Sequence, residues 1–253
     1  MAHDAITCLR ERLGTGVVEA LSFRGDETVV VARAAWIAAH RLLQEAMGYA
    51  MLLDLCGVDR LGTSERFEVV THLHHLEAKR RVRLKVRCTE ADPSIISLTS
   101  VFPAADWFER EAFDLFGIRF VGHPNLKRLL CHHAFEGHAL RKDFPKDHRG
   151  TIPTPDTLLD EMGLQQDVSR SPVPGSGSEM YLNIGPSHPA MHGCFRVLVE
   201  LDGERIRRAV PEIGYLHRCF EKEAEAHGWH AVIPYTDRLN YMSPLMNLSL
   251  IHI

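Results

Sequence analysis

Two histidines in a short stretch braced by prolines are the residues whose types and spacing could do chemistry. His188 and His192 lie four residues apart in the segment Asn183–Gly193 (NIGPSHPAMHG). Each proline fixes its own φ and pushes the residue before it towards extended geometry, so the two imidazoles are not expected on one helix face. Imidazole titrates at about pH 6.5 and can exchange a proton at cellular pH. The segment therefore predicts a rigid loop that presents imidazoles to a ligand.

A β-hairpin is predicted directly after this loop. Cys194–Leu201 is strand-like, Asp202-Gly203 is a two-residue turn of the primed type, and Glu204–Val210 forms the returning strand. A stiff loop carried on a hairpin is a good support for a binding site.

Composition and charge place the chain among ordinary globular proteins. Its 253 residues suffice for one large or two small domains, and 45% of them are apolar and 25% charged. A net charge of −4 provides no bulk field for nucleic acid. No apolar run approaches the ~20 residues of a membrane span, and the N-terminus lacks the pattern of a secretory signal. The six cysteines are widely spaced without CxxC, which disfavours disulfide scaffolds, zinc ribbons and iron–sulfur ligand sets and predicts reduced thiols.

Hydrophobic periodicity in the first half predicts helices and strands without regular βαβ alternation, which indicates an α+β fold class. The predicted helices cover residues 4–14, 34–47 and 104–115, and the predicted strands cover residues 17–23, 27–33, 51–58, 67–75 and 81–87. Basic and apolar residues alternate along the last strand, where a solvated sheet face is favoured over a nucleic-acid-binding stripe.

Other histidine groups are weaker candidates for metal sites. His72 and His74 share one face of a predicted strand, with His75 beside them, but no third ligand is evident in the sequence. His132-His133 and His138 lie in a segment punctuated by glycine and proline, where hydrogen-bonded surface histidines are expected. We therefore predict that the chain holds no metal.

The composition changes after residue 146. Residues 147–178 contain two Pro/Ser/Gly-rich stretches with a weak amphipathic segment between them, which predicts an extended connector. The predicted organisation is a domain at residues 1–146, a linker at 147–178 and a second, smaller piece at 179–253.

Two long motifs in the first domain resemble the C subunit of respiratory complex I, the proton-pumping NADH:quinone oxidoreductase. They are Trp107–Leu129 (WFEREAFDLFGIRFVGHPNLKRL) and Phe135–Pro145 (FEGHALRKDFP), and Leu53–Asp59 and Leu84–Val86 also fit the family. Ala139 stands where the family usually has proline, a change expected to be harmless to the fold. The resemblance implies a mixed α/β domain of the C-subunit type.

The second piece resembles the beginning of the D subunit of the same complex. The matching segments are Gly185–Gly193, Leu198–Glu204, Ile213–Arg218 and Pro234–Pro244. The chain thus looks like the fused C/D subunit found in some bacteria, with a hairpin-containing start of a domain like the hydrogenase large subunit. No cysteine lies in Arg238–Ser243, where the first metal-binding pair of a hydrogenase would fall, so a nickel–iron centre is not expected.

The resemblance assigns the quinone headgroup to two residues. In the family, the histidine of the His-Gly pair and the tyrosine of the Asp-Arg-Leu-x-Tyr segment bind the headgroup, and by position these are His192 and Tyr241, with His188 expected beside them. A quinone gains protons as it gains electrons, and a phenol with a pKa of about 10 becomes a donor once charge develops on the oxygen. Without the resemblance, a loop-capping imidazole and a core tyrosine would be the expected readings.

Three further residues are expected to tune this neighbourhood. Arg218 matches a family arginine near an iron–sulfur cluster of a neighbouring subunit, whose potential a guanidinium would raise. The alternative is a surface ion pair with Glu221 or Glu225. Asp237 and Arg238 lie just before the tyrosine and could form a local ion pair or tune the histidine electrostatically.

The resemblance implies a peripheral-arm subunit of proton-translocating NADH:quinone oxidoreductase, which is an enzyme only as part of the complex. The chain would scaffold the arm and contribute to the quinone site. It would bind no cofactor itself, take quinone as substrate, and receive electrons from an iron–sulfur cluster on an adjacent subunit. Expected partners are the cluster-bearing B-type and I-type subunits and a membrane-arm subunit at the quinone channel, with no nucleic acid. The expected location is the cytoplasmic face of the bacterial inner membrane, peripherally and without a transmembrane segment.

Two other readings stay open. The chain could be an assembly or scaffold module without a catalytic role, or a subunit of a related ferredoxin- or hydrogenase-linked complex. A complete D subunit has several hundred further residues of mostly helical domain, and residues 248–253 no longer match the family. We therefore expect a truncated chain that is inactive in isolation.

Overall fold

Five strands of the first part of the chain, residues 5–147, pair into one sheet. The computed structural model describes residues 5–147, 179–187, 194–215, 217–239 and 242–252. The sheet contains strands β1 (Val17–Phe23), β2 (Asp26–Val31), β3 (Met51–Asp59), β4 (Phe67–His75) and β5 (Arg80–Cys88). Their order is β1-β2-β5-β4-β3, with β2 and β5 parallel and every other neighbouring pair antiparallel. The β-branched runs in these strands suit a pleated, half-buried surface.

Two helices pack against this sheet and form the main core with it. Helix α1 (Ala5–Leu13) opens the described chain, and helix α2 (Trp36–Met47) follows a short 3-10 turn at residues 33–35. Helix α2 ends at Gly48, whose φ of 75° lets its amide bond back to the Leu43 carbonyl. The fully buried apolar side chains of this core include Leu9, Trp36, Leu43, Phe67, Leu73 and Leu84.

A buried histidine joins helix α2 to the sheet. His40 donates from Nδ1 to the Trp36 carbonyl at 2.8 Å and accepts at Nε2 from the Thr71 hydroxyl at 2.9 Å. Burial lowers the pKa of His40 to about 4, so the ring is neutral at physiological pH. This histidine has a structural role, because both of its nitrogens are used within the core.

The opposite face of the sheet carries charged residues that are paired with one another. Glu68 on β4 is 1% exposed and accepts hydrogen bonds from Lys85 at 2.9 Å and Arg87 at 3.2 Å on β5. Burial alone would raise the pKa of Glu68, but hydrogen bonds and charges from its basic neighbours outweigh burial and lower the pKa. Arg83 donates to His72 at 2.9 Å. The basic stripe of β5 is therefore largely neutralised by residues of the same sheet face.

Helix α3 (Ala105–Phe116) packs against the edge strand β3 and carries a buried carboxyl group. The Phe116 ring lies against Gly57, where a Cβ atom would approach a ring carbon to 2.7 Å, so this contact requires glycine. Glu109 accepts hydrogen bonds from the Ser97 hydroxyl and the Leu98 amide, both at 2.6 Å. Burial raises the pKa of Glu109 to about 7 in spite of these hydrogen bonds.

Two short strands flank helix α3 in the chain and pair with each other in parallel. They are β6 (Ser94–Ile96) and β7 (Arg119–Val121), with Ile95 opposite Phe120 at the centre of the pair. Both of these central side chains are buried in the main core. The segments before and after α3 are therefore anchored to that core.

The loop that follows β7 is organised by the buried side chain of Asp114 on helix α3. Its Oδ2 atom accepts the backbone amides of Leu129, Leu130 and Cys131 at 2.9, 2.7 and 2.8 Å, and its Oδ1 atom accepts from Arg128 at 2.7 Å. A carboxylate that receives several charge-assisted hydrogen bonds holds its donors firmly. Arg110 of the same helix also donates to the Lys127 and Arg128 carbonyls, so the path of this loop is fixed by side chains of α3.

The second part of the chain, residues 179–252, begins with a three-stranded antiparallel sheet. The strands β8 (Glu179–Ser187), β9 (Phe195–Asp202) and β10 (Arg205–Glu212) are arranged in the order β10-β9-β8. Three helices follow, namely α4 (Phe220–Ala226), α5 (Trp229–Asp237) and α6 (Pro244–His252). Among the described residues, no helix combines the length and the apolar character needed to cross a membrane.

The elements predicted for the first part are confirmed, with their ends displaced by at most a few residues, and the mixed α and β content agrees with the predicted α+β class. The strands β6 and β7 are absent from the prediction, because three residues offer too little alternation. The predicted linker lies outside the described residues, apart from Asp147.

Two predictions for the second part are corrected. Residues 183–187, predicted as the start of a loop, continue β8, and the rest of that predicted loop lies outside the described residues. This strand lies at the edge of its sheet, where the missing amide donor of Pro186 is tolerated. The hairpin turn falls one residue later than predicted, since Asp202 pairs with Arg205 and leaves Gly203 and Glu204 as the turn residues.

We predict that Glu109→Gln flattens the pH dependence of stability. The pKa of the carboxyl group rises from 4.5 to about 7 on folding, so its contribution to stability is fully present below the lower value and is lost as the pH rises through the higher one. Between about pH 5 and pH 8, the wild-type chain should lose roughly 2 kcal/mol more stability than the variant. Urea unfolding at both pH values measures this difference. Glu136→Gln, at an exposed position, is the control, and equal pH dependence in wild type and Glu109→Gln would refute the prediction.

Candidate functional site

Four side chains from both parts of the chain meet in one buried cluster. Arg196 on β9 and Glu212 on β10 are cross-strand partners, and Arg196 donates to the Glu212 carboxylate. The same carboxylate lies 2.5 Å from His132 Nε2 and 2.5 Å from the Tyr215 hydroxyl. His132, Arg196 and Glu212 are 6%, 3% and 5% exposed. These four residues are the junction cluster, because His132 belongs to the first part and the other three to the second.

Glu212 is a carboxylate at neutral pH within the junction cluster. Burial alone would raise its pKa, but hydrogen bonds from Arg196, Tyr215 and His132 outweigh burial and lower the pKa. Burial and the hydrogen bond to Glu212 raise the pKa of Tyr215 to about 12, so the phenol keeps its proton and donates it. A buried negative charge with an arginine and two further donors is adequately paired.

The hydrogen bonds of His132 fix its tautomer. The Ala134 amide donates to Nδ1 at 3.1 Å, so the ring proton lies on Nε2 and points at Glu212. The sequence had predicted a surface histidine here, and this is wrong, because the ring is buried by the second part of the chain. Its neighbour His133 is exposed, as predicted.

The junction cluster does not fit a metal centre. Within the described part of the chain, His132, His133 and Glu212 form a group whose ligand atoms all lie within 4.8 Å of one another. A metal ion at His132 Nε2 would force the ring proton onto Nδ1, which faces the amide proton of Ala134. The ion would also compete with the Arg196 guanidinium for the same carboxylate. The geometry therefore supports a structural junction between the two parts.

A glycine allows the two backbones to approach closely beside the cluster. Gly214 has a φ of 109°, and a Cβ atom at this position would lie 2.3 Å from the backbone nitrogen of His132. No side chain fits in that space, and an L-residue would also be strained by the backbone conformation. The segment after β10 is therefore fitted directly onto the loop that Asp114 organises.

A second polar contact joins helix α4 to the end of the first part. Lys222 donates to the Arg141 carbonyl at 2.6 Å, and Lys142 forms an ion pair with Glu225. A cavity of about 190 Å³ lies beside these residues, lined by Gly57 and Phe116 of the first part and by α4. Charged and polar groups of the described parts thus touch at the junction cluster and also beside α4.

Known proteins resemble this chain across both parts. Residues 29–150 match the family described as respiratory-chain NADH dehydrogenase, 30 Kd subunit. The chain is 45% identical over 225 residues, or 88% of its length, to the NADH-quinone oxidoreductase C/D subunit of Bdellovibrio bacteriovorus. The chain is thus similar to NADH-quinone oxidoreductase C/D subunits over most of its length. A second relative, the C/D subunit of Methylococcus capsulatus, is 46% identical over 215 residues, which is 79% of this chain.

This chain spans about two fifths of the length of the curated relatives it matches, with 39% and 36% of these two proteins covered. A solved structure of the trypsin-resistant fragment of Nqo5 is 33% identical and aligns with 47% of this chain and 96% of that one, at a TM-score of 0.42.

Three of the predicted site residues, His188, His192 and Tyr241, lie outside the described residues. The strand residues that flank the two histidines are described, and Ser187 on β8 pairs with Phe195 on β9. The predicted quinone-site geometry therefore stays a prediction.

The remaining predicted residues lie in the helical segment of the second part. Arg218 is exposed, and its guanidinium lies 5.9 Å from the centre of the Tyr235 ring, whereas Glu225, one of its predicted ion-pair partners, pairs with Lys142. Arg238 donates to the Pro234 carbonyl at 2.8 Å. Asp237 is the last residue of helix α5.

Sequence reasoning missed the junction cluster. His132 and Glu212 are 80 residues apart, and Arg196 and Tyr215 carry no motif that points to either of them. The family resemblance had marked Ile213–Arg218, the segment that contains Tyr215, but it gave no indication of these partners.

We predict that Gly214→Ala destabilises the chain far more than Gly203→Ala. Both glycines have positive φ, but a Cβ at Gly203 meets nothing within 4 Å, so that variant loses only about 1 kcal/mol to backbone strain. Gly214→Ala adds the overlap with the His132 backbone and should cost at least roughly 3 kcal/mol. Urea unfolding of both variants measures the difference, and equal costs would show that the close approach is not a constraint.

Proposed function

We propose that this chain is a peripheral-arm subunit of proton-translocating NADH:quinone oxidoreductase, scaffolding the arm and contributing to the quinone headgroup site. The proposal rests on the 45% identity to a C/D subunit that extends over 88% of the chain and so includes both parts. The buried junction cluster supports a scaffold role, because His132 of the first part is hydrogen-bonded there to Glu212, which also accepts from Arg196 and Tyr215 of the second part.

The proposed domain organisation follows the same relationship. Residues 1–146 form the C-subunit-like domain, residues 147–178 the linker, and residues 179–253 the start of a D-subunit domain that is like the hydrogenase large subunit. The sheet of β8, β9 and β10 supports this assignment, because it contains a hairpin where one is expected at that start.

The proposed chemistry is proton delivery to a quinone. His192 supplies a proton from an imidazole that titrates near cellular pH, and Tyr241 holds the second carbonyl and donates as charge develops on the oxygen. His188 contributes to the binding of the headgroup. Two electrons arrive from an iron–sulfur cluster on a neighbouring subunit, two protons are taken up, and quinol is formed. Donors fixed in a water-excluded site stabilise this developing charge most strongly.

Arg218, Asp237 and Arg238 are proposed to act around this site. The exposed guanidinium of Arg218 is available to a neighbouring subunit, where its charge would stabilise the reduced state of a cluster. The hydrogen bond from Arg238 to Pro234 supports a role in bracing the turn that precedes the tyrosine.

The proposed partners are the cluster-bearing B-type and I-type subunits and a membrane-arm subunit at the quinone channel. The proposed location is the cytoplasmic face of the inner membrane, where a quinone dissolved in the bilayer can reach a peripheral arm. Exposed apolar side chains of the second part, including Trp229 and Leu245 at 79% each, are suited to burial in such an assembly.

The decisive experiment introduces His192→Ala and Tyr241→Phe into the full-length subunit in its complex. Each variant should lower the NADH:quinone reductase rate by about a hundredfold or more, because it removes a proton donor at the reacting oxygen. Electron transfer from NADH to ferricyanide should be unchanged, since that step lies upstream of the quinone. His230→Ala, an exposed histidine of helix α5, is the matched control.

Unchanged quinone reduction in both variants would remove the catalytic proposal and leave the scaffold reading. Electron delivery from ferredoxin, with no activity towards NADH, would assign the chain to the related ferredoxin-linked complex.

A further inference from the structure

Strand β9 begins at the point where the proposed quinone-binding segment ends. His192 is followed three residues later by Phe195, the first residue of β9, and Arg196 is the second residue of that strand. Phe195 pairs with Ser187, the last residue of β8, so the ends of both strands are brought together there. The side chain of Arg196, 3% exposed, is therefore anchored at the base of the segment that carries both histidines.

The anchor of Arg196 leads directly to the first part of the chain. Arg196 donates to Glu212, and Glu212 receives the Nε2 proton of His132 at 2.5 Å. The Tyr215 ring supports this arrangement, because its centre lies 5.7 Å from the Arg196 guanidinium and 6.0 Å from the centre of the His132 ring. Arg196, Glu212 and His132 thus form a continuous series of hydrogen bonds from the base of the segment to the loop that Asp114 holds.

The side chain of His132 makes two hydrogen bonds, and a mutation can remove either one while keeping the other. Its Nδ1 atom accepts from the Ala134 amide within its own loop, and its Nε2 atom donates to Glu212 in the other part. An asparagine oxygen can replace the Nδ1 acceptor, but its side chain is too short to reach Glu212. A glutamine amide reaches the place of Nε2 and can donate to Glu212, but it does not reproduce the Nδ1 acceptor.

We propose that His132 is a positioning residue for quinone reduction, which sets the ends of β8 and β9 relative to the first part through Glu212 and Arg196. The inference rests on the proposed function, because it gives the junction cluster a role in the chemistry of His192. Reacting groups must be held closely in place, and a small displacement caused far from the chemistry reduces the rate steeply. Here a residue of the C-like part governs a site built by the D-like part.

The test compares His132→Gln and His132→Asn in the complex that contains the full-length subunit. His132→Asn keeps the local loop hydrogen bond and loses the link to Glu212, so it should raise the KM for a short-chain quinone roughly tenfold. His132→Gln should stay within about twofold of wild type, because the link is kept. His230→Ala, at an exposed position of helix α5, is the control and should leave the KM unchanged.

Two further measurements exclude a merely structural effect. The yield of complex and the NADH:ferricyanide rate should be the same in all three variants. An unchanged KM in His132→Asn, a larger effect of His132→Gln than of His132→Asn, or failure of the Asn variant to assemble would each overturn the proposal.

The His192→Ala variant separates this inference from the function on which it rests. If His192→Ala abolishes quinone reduction and His132→Asn behaves as wild type, the positioning role alone fails. If His192→Ala leaves quinone reduction intact, the proposed quinone site itself fails.

Discussion

The carboxylate of Asp114 is the interaction on which the arrangement of the two parts depends. It is fully buried in helix α3 and holds three consecutive backbone amides of a later loop, ending at Cys131. The next residue in the chain is His132, which reaches the second part. The position of the junction therefore depends on the packing of α3 against strand β3, which is part of the main sheet. Loss of this side chain would leave three amides without their partner and would remove one of the acceptors of Arg128.

A similar solution is found where the end of the first part returns to the sheet. Arg66 is 3% exposed and makes two hydrogen bonds of 2.9 Å to Asp59 and one of 2.6 Å to Asp143. The Lys142 amide donates to Asp59 at 2.8 Å. Burial alone would raise the pKa of Asp59, but these hydrogen bonds outweigh burial and lower the pKa. The segment before the proposed linker is thus fixed on β3 by paired charges, close to the residues that contact α4.

A polar junction suits a subunit whose two parts must keep one orientation. Apolar surfaces tolerate small displacements, whereas a buried carboxylate loses its hydrogen bonds as soon as its donors move. Glu212 has three such donors from two parts of the chain, and Gly214 leaves no room for sliding on the His132 backbone. These constraints hold the strands that flank the proposed quinone-binding segment in one position relative to the C-like part.

The sequence by itself determined the resemblance to complex I subunits, the helices and strands of the first part, and the candidate residues His192 and Tyr241. Local hydrophobic periods and long motifs carry that information, because they are contained in neighbouring residues. Only the tertiary structure decided that His132 is a buried donor to Glu212, that Arg196 completes the cluster, and that β8 extends over residues 183–187. The physical reason is that burial and hydrogen-bond partners at a junction are set by residues distant in the chain, and no local pattern records which distant surfaces will meet.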